Sequence, residues 1–269
     1  MKYKTYYDFF RTDIHSIEDN LWENIDFYLN EFFVSLNSHK LMFFALGFGF
    51  GNPPRSPCLQ FYQYPKEIDY KYNVKNYNLE ASFRIDPDQH LNGMLDEGLE
   101  NFIKLSKKLI LVSFGHYVSS NTSFMRKVIG ILSKSEHRFI VSKGVNHSSY
   151  ELSKNMWGKD FISQRQILPY VDLVINHGGN NTFTESFFSG KPQIVIPFAF
   201  DQFDNALRIR EFDLTVYIER NELKSDNFLN AINYLLDNKT INRILSKISK
   251  RMSKNNKLCK AIDLIENLK

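Results

Sequence analysis

The sequence predicts an α/β fold: a parallel sheet covered by helices on both faces. Two observations carry this. From about residue 109 onward, apolar runs of strand length alternate with helix-length segments. One of those junctions, residues 171–190, reads as buried strand, glycine turn and helix in direct succession. The chain has 269 residues, 43% apolar and 24% charged, ordinary for a globular protein and long enough for one large or two small domains.

Taken in order, residues 17–37 read as a helix, because Leu21, Ile25, Tyr28, Leu29 and Phe32 recur at helical spacing and form a core-facing stripe. Residues 47–57, rich in glycine and proline, read as an irregular passage, and 59–64 as a strand. A linker and partial helix are expected over 81–100. Strands follow at 109–114 and 138–142, separated by Gly115 and a helix over 122–133. The strand at 171–175 leads through His177-Gly178-Gly179 into a helix over 182–190, which Gly190 and Pro192 stop. Residues 193–196 and 214–218 give two more strands, and 226–236, 240–252 and 257–267 give closing helices. The chain divides at about residue 80, with 1–80 a partial N-terminal region and 81–269 the sheet domain.

Composition excludes several classes. A net charge of +4 with no basic stripe interleaved with aromatics argues against a polynucleotide partner. The two cysteines, Cys58 and Cys259, make neither a disulfide framework nor a metal spacing, and the histidines are scattered. Asp86-Pro87-Asp88 reads as a proline-centred surface turn rather than a metal motif. The sequons at Asn121, Asn146 and Asn238 are short matches. The opening residues lack an apolar leader, and the longest uncharged apolar run, 41–51, is too short to span a bilayer, so the chain as given reads as cytoplasmic.

The chemistry concentrates in 161–206. A glycine turn between strand and helix exposes unpartnered N–H groups at the helix's positive end, which suits a phosphate. His177, Asn181 and Glu185 recur every four residues, a spacing that predicts one shared helix face. Asp201 and Gln202 follow the next strand and offer acceptors and donors for sugar hydroxyls. Taken singly, Asp201 is also a plausible helix cap, and the glycines an ordinary turn.

Together these motifs resemble the donor-sugar signature of the UDP-glycosyltransferases, enzymes of the GT-B fold. The matching positions are Phe161 and Gln164, His177-Gly178-Gly179, Asn181, Glu185, Gly190-Lys191-Pro192, and Asp201-Gln202 with Asn205. A looser likeness, of animal and arthropod type, extends from residue 59 to the C-terminus. The resemblance implies two Rossmann-like domains, with this chain carrying the C-terminal donor half and a remnant of the acceptor domain. It implies that Phe161 stacks on uracil and Gln164 lies near base and ribose. His177, Gly178, Gly179 and Asn181 would hold the diphosphate, Glu185 the ribose hydroxyls, and Asp201 and Gln202 the sugar. His116 stands where the family has a phosphate-facing serine, Phe161 replaces the usual tryptophan, and Ser163 replaces proline.

The implied reaction is inverting, metal-independent and cofactor-free hexosyl transfer from a UDP-sugar to the hydroxyl of a small lipophilic acceptor. The family's catalytic histidine has no assigned counterpart here, because His15 and His39 do not follow a strand–glycine opening. A UDP-sugar-binding module without catalysis is the alternative reading. Full-length animal relatives are endoplasmic-reticulum membrane proteins.

Overall fold

The computed structural model describes residues 61–62, 64–68, 77–78, 96–254 apart from 106, 146 and 200, and residues 263 and 266. The expectations for 17–37, 47–57, most of 257–267, Asp86, Asp88, Asn146, both cysteines, His15 and His39 lie outside the described residues.

Six strands form one parallel sheet: β3 (Leu109–Ser113), β4 (Arg138–Ser142), β5 (Met156–Lys159), β6 (Leu173–Asn176), β7 (Gln193–Val195) and β8 (Val216–Tyr217). Their spatial order is β5-β4-β3-β6-β7-β8. The chain therefore builds outward from β3 in one direction, returns to β6 on its other side, and builds outward again. The reversal lies between β3 and β6, where Ser113 pairs with Asn176. A crevice opens there because successive connections leave on opposite faces, and ligands of open α/β sheets bind at this place. A separate parallel pair joins β1 (Phe61–Tyr62) to β2 (Tyr77–Asn78).

Alternation along β3 sorts the core. Ile110 and Val112 join the larger apolar cluster, with Phe124 and Met125 of α3 (Thr122–Leu132), Phe228 and Ile232 of α7 (Ser225–Asp237), and Leu245 and Ile248 of α8 (Lys239–Ser253). Leu109 and Leu111 face the second cluster, with Leu99 of α1 (Glu97–Ile103) and Ile167 of α4 (Gln164–Ile167). Each such buried side chain contributes about 1.5–3 kcal/mol, so both faces are committed to helices, as the apolar runs imply.

Helix ends follow local chemistry. Asn121 and Asn238 cap α3 and α8, accepting from Phe124 N–H and Ile241 N–H at 3.0 Å each, so two of the three sequon asparagines are capping side chains. Helix α5 (Asn180–Phe188) ends at Gly190, whose φ of +66° suits glycine. Gly190 N–H donates to Phe187 O and Lys191 N–H to Ser186 O, closing a Schellman turn. The helix thus runs two residues earlier at both ends than the pattern predicts. Strand β5 has no counterpart among the predicted strands, because its four residues include a glycine and carry no periodic signal. Gly158 is there because a β-carbon would run into the carbonyl oxygen of Val141 on the neighbouring strand β4, and would also stand 2.9 Å from Leu152 Cδ1.

Residues 64–68 pack onto the sheet domain. Tyr64 meets Phe183 edge-on at 6.3 Å, with the Arg208 guanidinium 4.2 Å from its ring centre. Burial pushes the Tyr64 hydroxyl up to about 12. Ile68 is fully buried, and Arg251 Nε donates to Glu67 Oε1 at 2.7 Å while its second nitrogen grips Glu67 Oε2.

Candidate active site at the strand-order reversal

Two glycine turns build the site, one after β3 and one after β6. Gly115 and Gly178 adopt φ of +68° and +83°, conformations that other residues rarely take. At Gly178 a β-carbon would stand 2.8 Å from Val195 Cγ1 and 3.0 Å from the Gln202 carbonyl oxygen. The turn is therefore pressed against β7 and the start of α6 (Asp201–Glu211).

Buried amides hold it in place. Gly178 N–H donates to Asn176 Oδ1 at 2.7 Å, and Asn176 Nδ2 donates to Gln193 Oε1 at 2.8 Å. Gln193 Nε2 donates to Phe183 O at 3.1 Å, and Asn205 Nδ2 to Gly178 O at 2.7 Å. Such a network, in low dielectric, fixes the turn before any ligand arrives. Asn205 closes the Asp-Gln-x-x-Asn motif, but its partner lies 27 residues away and no spacing reveals it.

His177 does not share a helix face with Asn181 and Glu185, contrary to the four-residue spacing. The positive φ at Gly178 turns the chain, and α5 begins only at Asn180. The imidazole lies instead between the two glycine turns, where β-carbons on Gly115 and Gly179 would stand 3.0 and 2.7 Å from its Cε1. Burial lowers its pKa to about 4, against a smaller upward pull from the Ser113 backbone. At neutral pH it is an uncharged ring with one N–H to donate.

Asn181 is half-buried in the first turn of α5, and Glu185 lies one turn further, 7% exposed. Arg165 Nε approaches Glu185 Oε1 at 3.4 Å from the opposite wall. On that wall Phe161 is 79% exposed, its ring free to stack. Gln164 begins α4 and donates through Nε2 to Ser113 Oγ at 2.9 Å. His116 is exposed in the short α2 (Gly115–Ser119).

Asp201 and Gln202 open α6, and the structure divides their duties. Gln202 Oε1 accepts from Phe198 N–H at 2.8 Å and Ala199 N–H at 3.0 Å, so its carbonyl is committed to its own loop. Burial raises the Asp201 carboxyl to about 7, aided by the charge of Asp204 and opposed by backbone hydrogen bonds, one from Asn180 N–H. The carboxyl therefore sits against the start of α5. Among the described residues, no three His, Cys, Asp or Glu side chains gather as a metal site, and no helix is long and apolar enough to cross a membrane.

A doubly wound parallel sheet with glycine turns and a helix start meeting at its reversal point is a nucleotide-binding architecture. Residues 126–265 match the family described as erythromycin biosynthesis protein CIII-like, C-terminal domain. The chain belongs to this family and corresponds to the C-terminal half of UDP-glycosyltransferases.

Among its relatives, UDP-glucuronosyltransferase 3A1 of Xenopus laevis is 35% identical over 146 residues, 51% of this chain and 28% of that protein. Sterol 3-beta-glucosyltransferase of Vanderwaltozyma polyspora is 29% identical over 216 residues, 75% of this chain and 17% of that protein. The solved structure of spinosyn rhamnosyltransferase SpnG aligns with a TM-score of 0.66 at 17% identity, over 79% of this chain and 57% of its own. The calicheamicin glycosyltransferase CalG4 aligns with a TM-score of 0.65 at 16% identity, over 79% and 54%. The sheet is thus a GT-B donor domain, and the chain spans less than a third of the length of those two curated relatives.

Proposed function

We propose that the chain carries the donor site of an inverting, metal-independent UDP-glycosyltransferase, which moves a hexosyl group from a UDP-sugar to the hydroxyl of a small lipophilic acceptor. One observation carries this reading. Among the described residues, eight buried side-chain polar atoms lack a hydrogen-bond partner, and five of them belong to the turn after β6 and to helices α4, α5 and α6: Gln164 Oε1, His177 Nδ1, Asn180 Oδ1, Asp201 Oδ2 and Asn205 Oδ1. An unpaired buried polar group costs about 1–3 kcal/mol, and a polar ligand in the crevice would recover part of it. The names of the relatives, a glucuronosyltransferase and a sterol glucosyltransferase, support a hexosyl donor and a lipophilic acceptor.

In this reading Phe161 stacks on uracil, with Gln164 beside base and ribose. Glu185 accepts from the ribose, and Asp201 with Gln202 holds the sugar. The diphosphate lies against the Gly179 amide, Asn181 and the start of α5, with His177 and His116 beside it, whereas the Gly178 N–H expected there is already held by Asn176 Oδ1. Transfer forms a bond from the acceptor oxygen to the anomeric carbon as the bond from that carbon to the β-phosphate oxygen breaks. UDP leaves with the electron pair, and a general base takes the acceptor's proton. Negative charge grows on the β-phosphate, where in this reading the start of α5 and an uncharged His177 ring would stabilise it. Calorimetric titration with UDP, with and without a chelator, tests the donor site. Binding that ignores the chelator is expected. Absence of heat at millimolar UDP, or a strict need for a divalent cation, would sink the reading.

A further inference from the structure

We propose that Tyr64 is a positioning residue for the donor site: its hydroxyl orients Asn205, and Asn205 orients the peptide that presents the Gly179 N–H. The inference rests on the donor-site reading above and adds a residue that touches no ligand. Tyr64 lies outside the large sheet, two residues after β1. Its ring packs against both helices that start at the crevice. Phe183 of α5 meets it edge-on at 6.3 Å, and the Arg208 guanidinium of α6 lies 4.2 Å from its centre. The face of α6 turned toward it carries Asp201, Asp204, Asn205 and Arg208, spaced i, i+3, i+4 and i+7. All four act on the Tyr64 hydroxyl.

Asn205 is fully buried, so its neighbours alone set its orientation. Its Oδ1 has no partner among the described residues, and its side-chain amide is therefore held through the nitrogen. That nitrogen has two hydrogens to donate. One goes to Gly178 O at 2.7 Å. The Asn205 side chain also hydrogen-bonds to Tyr64 in the sense that lowers the pKa of a phenol, which is donation to the phenol oxygen. The Gly178 carbonyl and the Gly179 N–H are opposite ends of one planar peptide. Fixing the oxygen therefore fixes the direction of the N–H that faces the diphosphate. Without the Tyr64 hydroxyl, a single bond is left to hold the amide plane. A flipped amide would set Oδ1 against the Gly178 carbonyl, acceptor against acceptor.

The test is the dissociation constant of UDP for the full chain and its variants, measured by calorimetry. Tyr64→Phe keeps the ring against Phe183 and Arg208 and removes only the hydroxyl. UDP should bind it about three- to fivefold more weakly, the scale of one neutral hydrogen bond. In an Asn205→Ala background the chain of contacts is already cut, and Tyr64→Phe should weaken UDP no further. Glu67→Gln loosens the same segment at its other end without touching α6, and it should leave the UDP constant unchanged. A Tyr64 that only stabilises the fold would lower the denaturant midpoint and leave UDP affinity alone. The inference is overturned if Tyr64→Phe binds UDP as the unaltered protein does. It is equally overturned if the loss is the same with and without Asn205, or if Glu67→Gln weakens UDP as much. Should Asn205→Ala not fold, Tyr64→Phe against Glu67→Gln decides. In all these outcomes UDP still binds, so the donor-site reading stands. Failure of the unaltered protein to bind UDP overturns that reading and this inference with it.

Discussion

The ring of His177 determines why residue 179 is glycine. Gly179 has φ of −63° and ψ of 138°, a backbone any residue can adopt, yet a β-carbon there would come within 2.7 Å of His177 Cε1. The constraint is the imidazole, not the backbone.

Gly179→Ala should therefore destabilise the fold by about 1–3 kcal/mol through overpacking and weaken UDP by displacing the ring. Adding His177→Ala removes the obstacle. The double variant should recover the stability lost by Gly179→Ala, a coupling that a denaturation double-mutant cycle detects. Additive losses would mean the alanine disturbs something other than the ring.

That relationship marks the limit of what the sequence shows. The α/β class, the strands expected at 138–142 and 193–196 and the helices expected at 122–133 and 240–252 follow from local patterns, since apolar runs and helical spacing are read within a few residues. The position of His177 is not legible, because its four-residue spacing imitates a helix that a positive φ at Gly178 excludes. Arg165 and Glu185 are 20 residues apart, and Asn205 and Gly178 are 27 apart, pairings that only the sheet order creates. The packing of Tyr64 and Ile68 on the sheet domain is equally non-local, set by α5, α6 and α8 rather than by residues 64–68 themselves.

Two half-buried groups give stability opposite pH slopes. Asp201 rises from its ordinary 3.8 to about 7, so the folded state keeps a proton that the unfolded chain releases, and stability falls as pH rises from about 4 to 7. His177 falls from 6.5 to about 4, so the unfolded chain takes up a proton the folded state refuses, and stability falls as pH drops from about 6.5 to 4. Their contributions oppose each other across that window. Relative to the unaltered protein, Asp201→Asn should gain thermal stability as pH rises through it, and His177→Gln should gain as pH falls. Melting temperatures at half-unit pH steps check both signs, and parallel curves for all three proteins would refute the assignment.

Glu67 and Arg251 clasp sequence positions 184 residues apart, with side chains 30% and 23% exposed. A paired, charge-assisted contact of this kind is worth about 1.5–3 kcal/mol, less whatever solvent screens. Glu67→Gln should lower the unfolding free energy, read from the denaturant midpoint, by an amount in the lower part of that range and leave UDP affinity unchanged, because the clasp joins residues 66–68 to the last turn of α8 and involves none of the donor-site candidates. A change in UDP affinity without loss of stability would contradict this placement.

Glu185 and Asp201 should separate nucleotide from sugar. Ribose is common to UDP and UDP-glucose, so Glu185→Ala should weaken both alike. Asp201 opens the helix after β7, and its carboxyl is bonded by Asn180 N–H at the start of α5. At pH 8 that carboxyl is ionised and faces the same helix start that attracts a diphosphate. Replacing it by alanine removes a sugar acceptor and a competing anion together. UDP-glucose should lose affinity relative to UDP by at least about tenfold, one charge-assisted hydrogen bond, while UDP itself does not weaken. The ratio of the two dissociation constants, measured for each variant at pH 8, decides the matter. Equal losses for both ligands in Asp201→Ala would remove Asp201 from the sugar contact and leave it as a cap on α5.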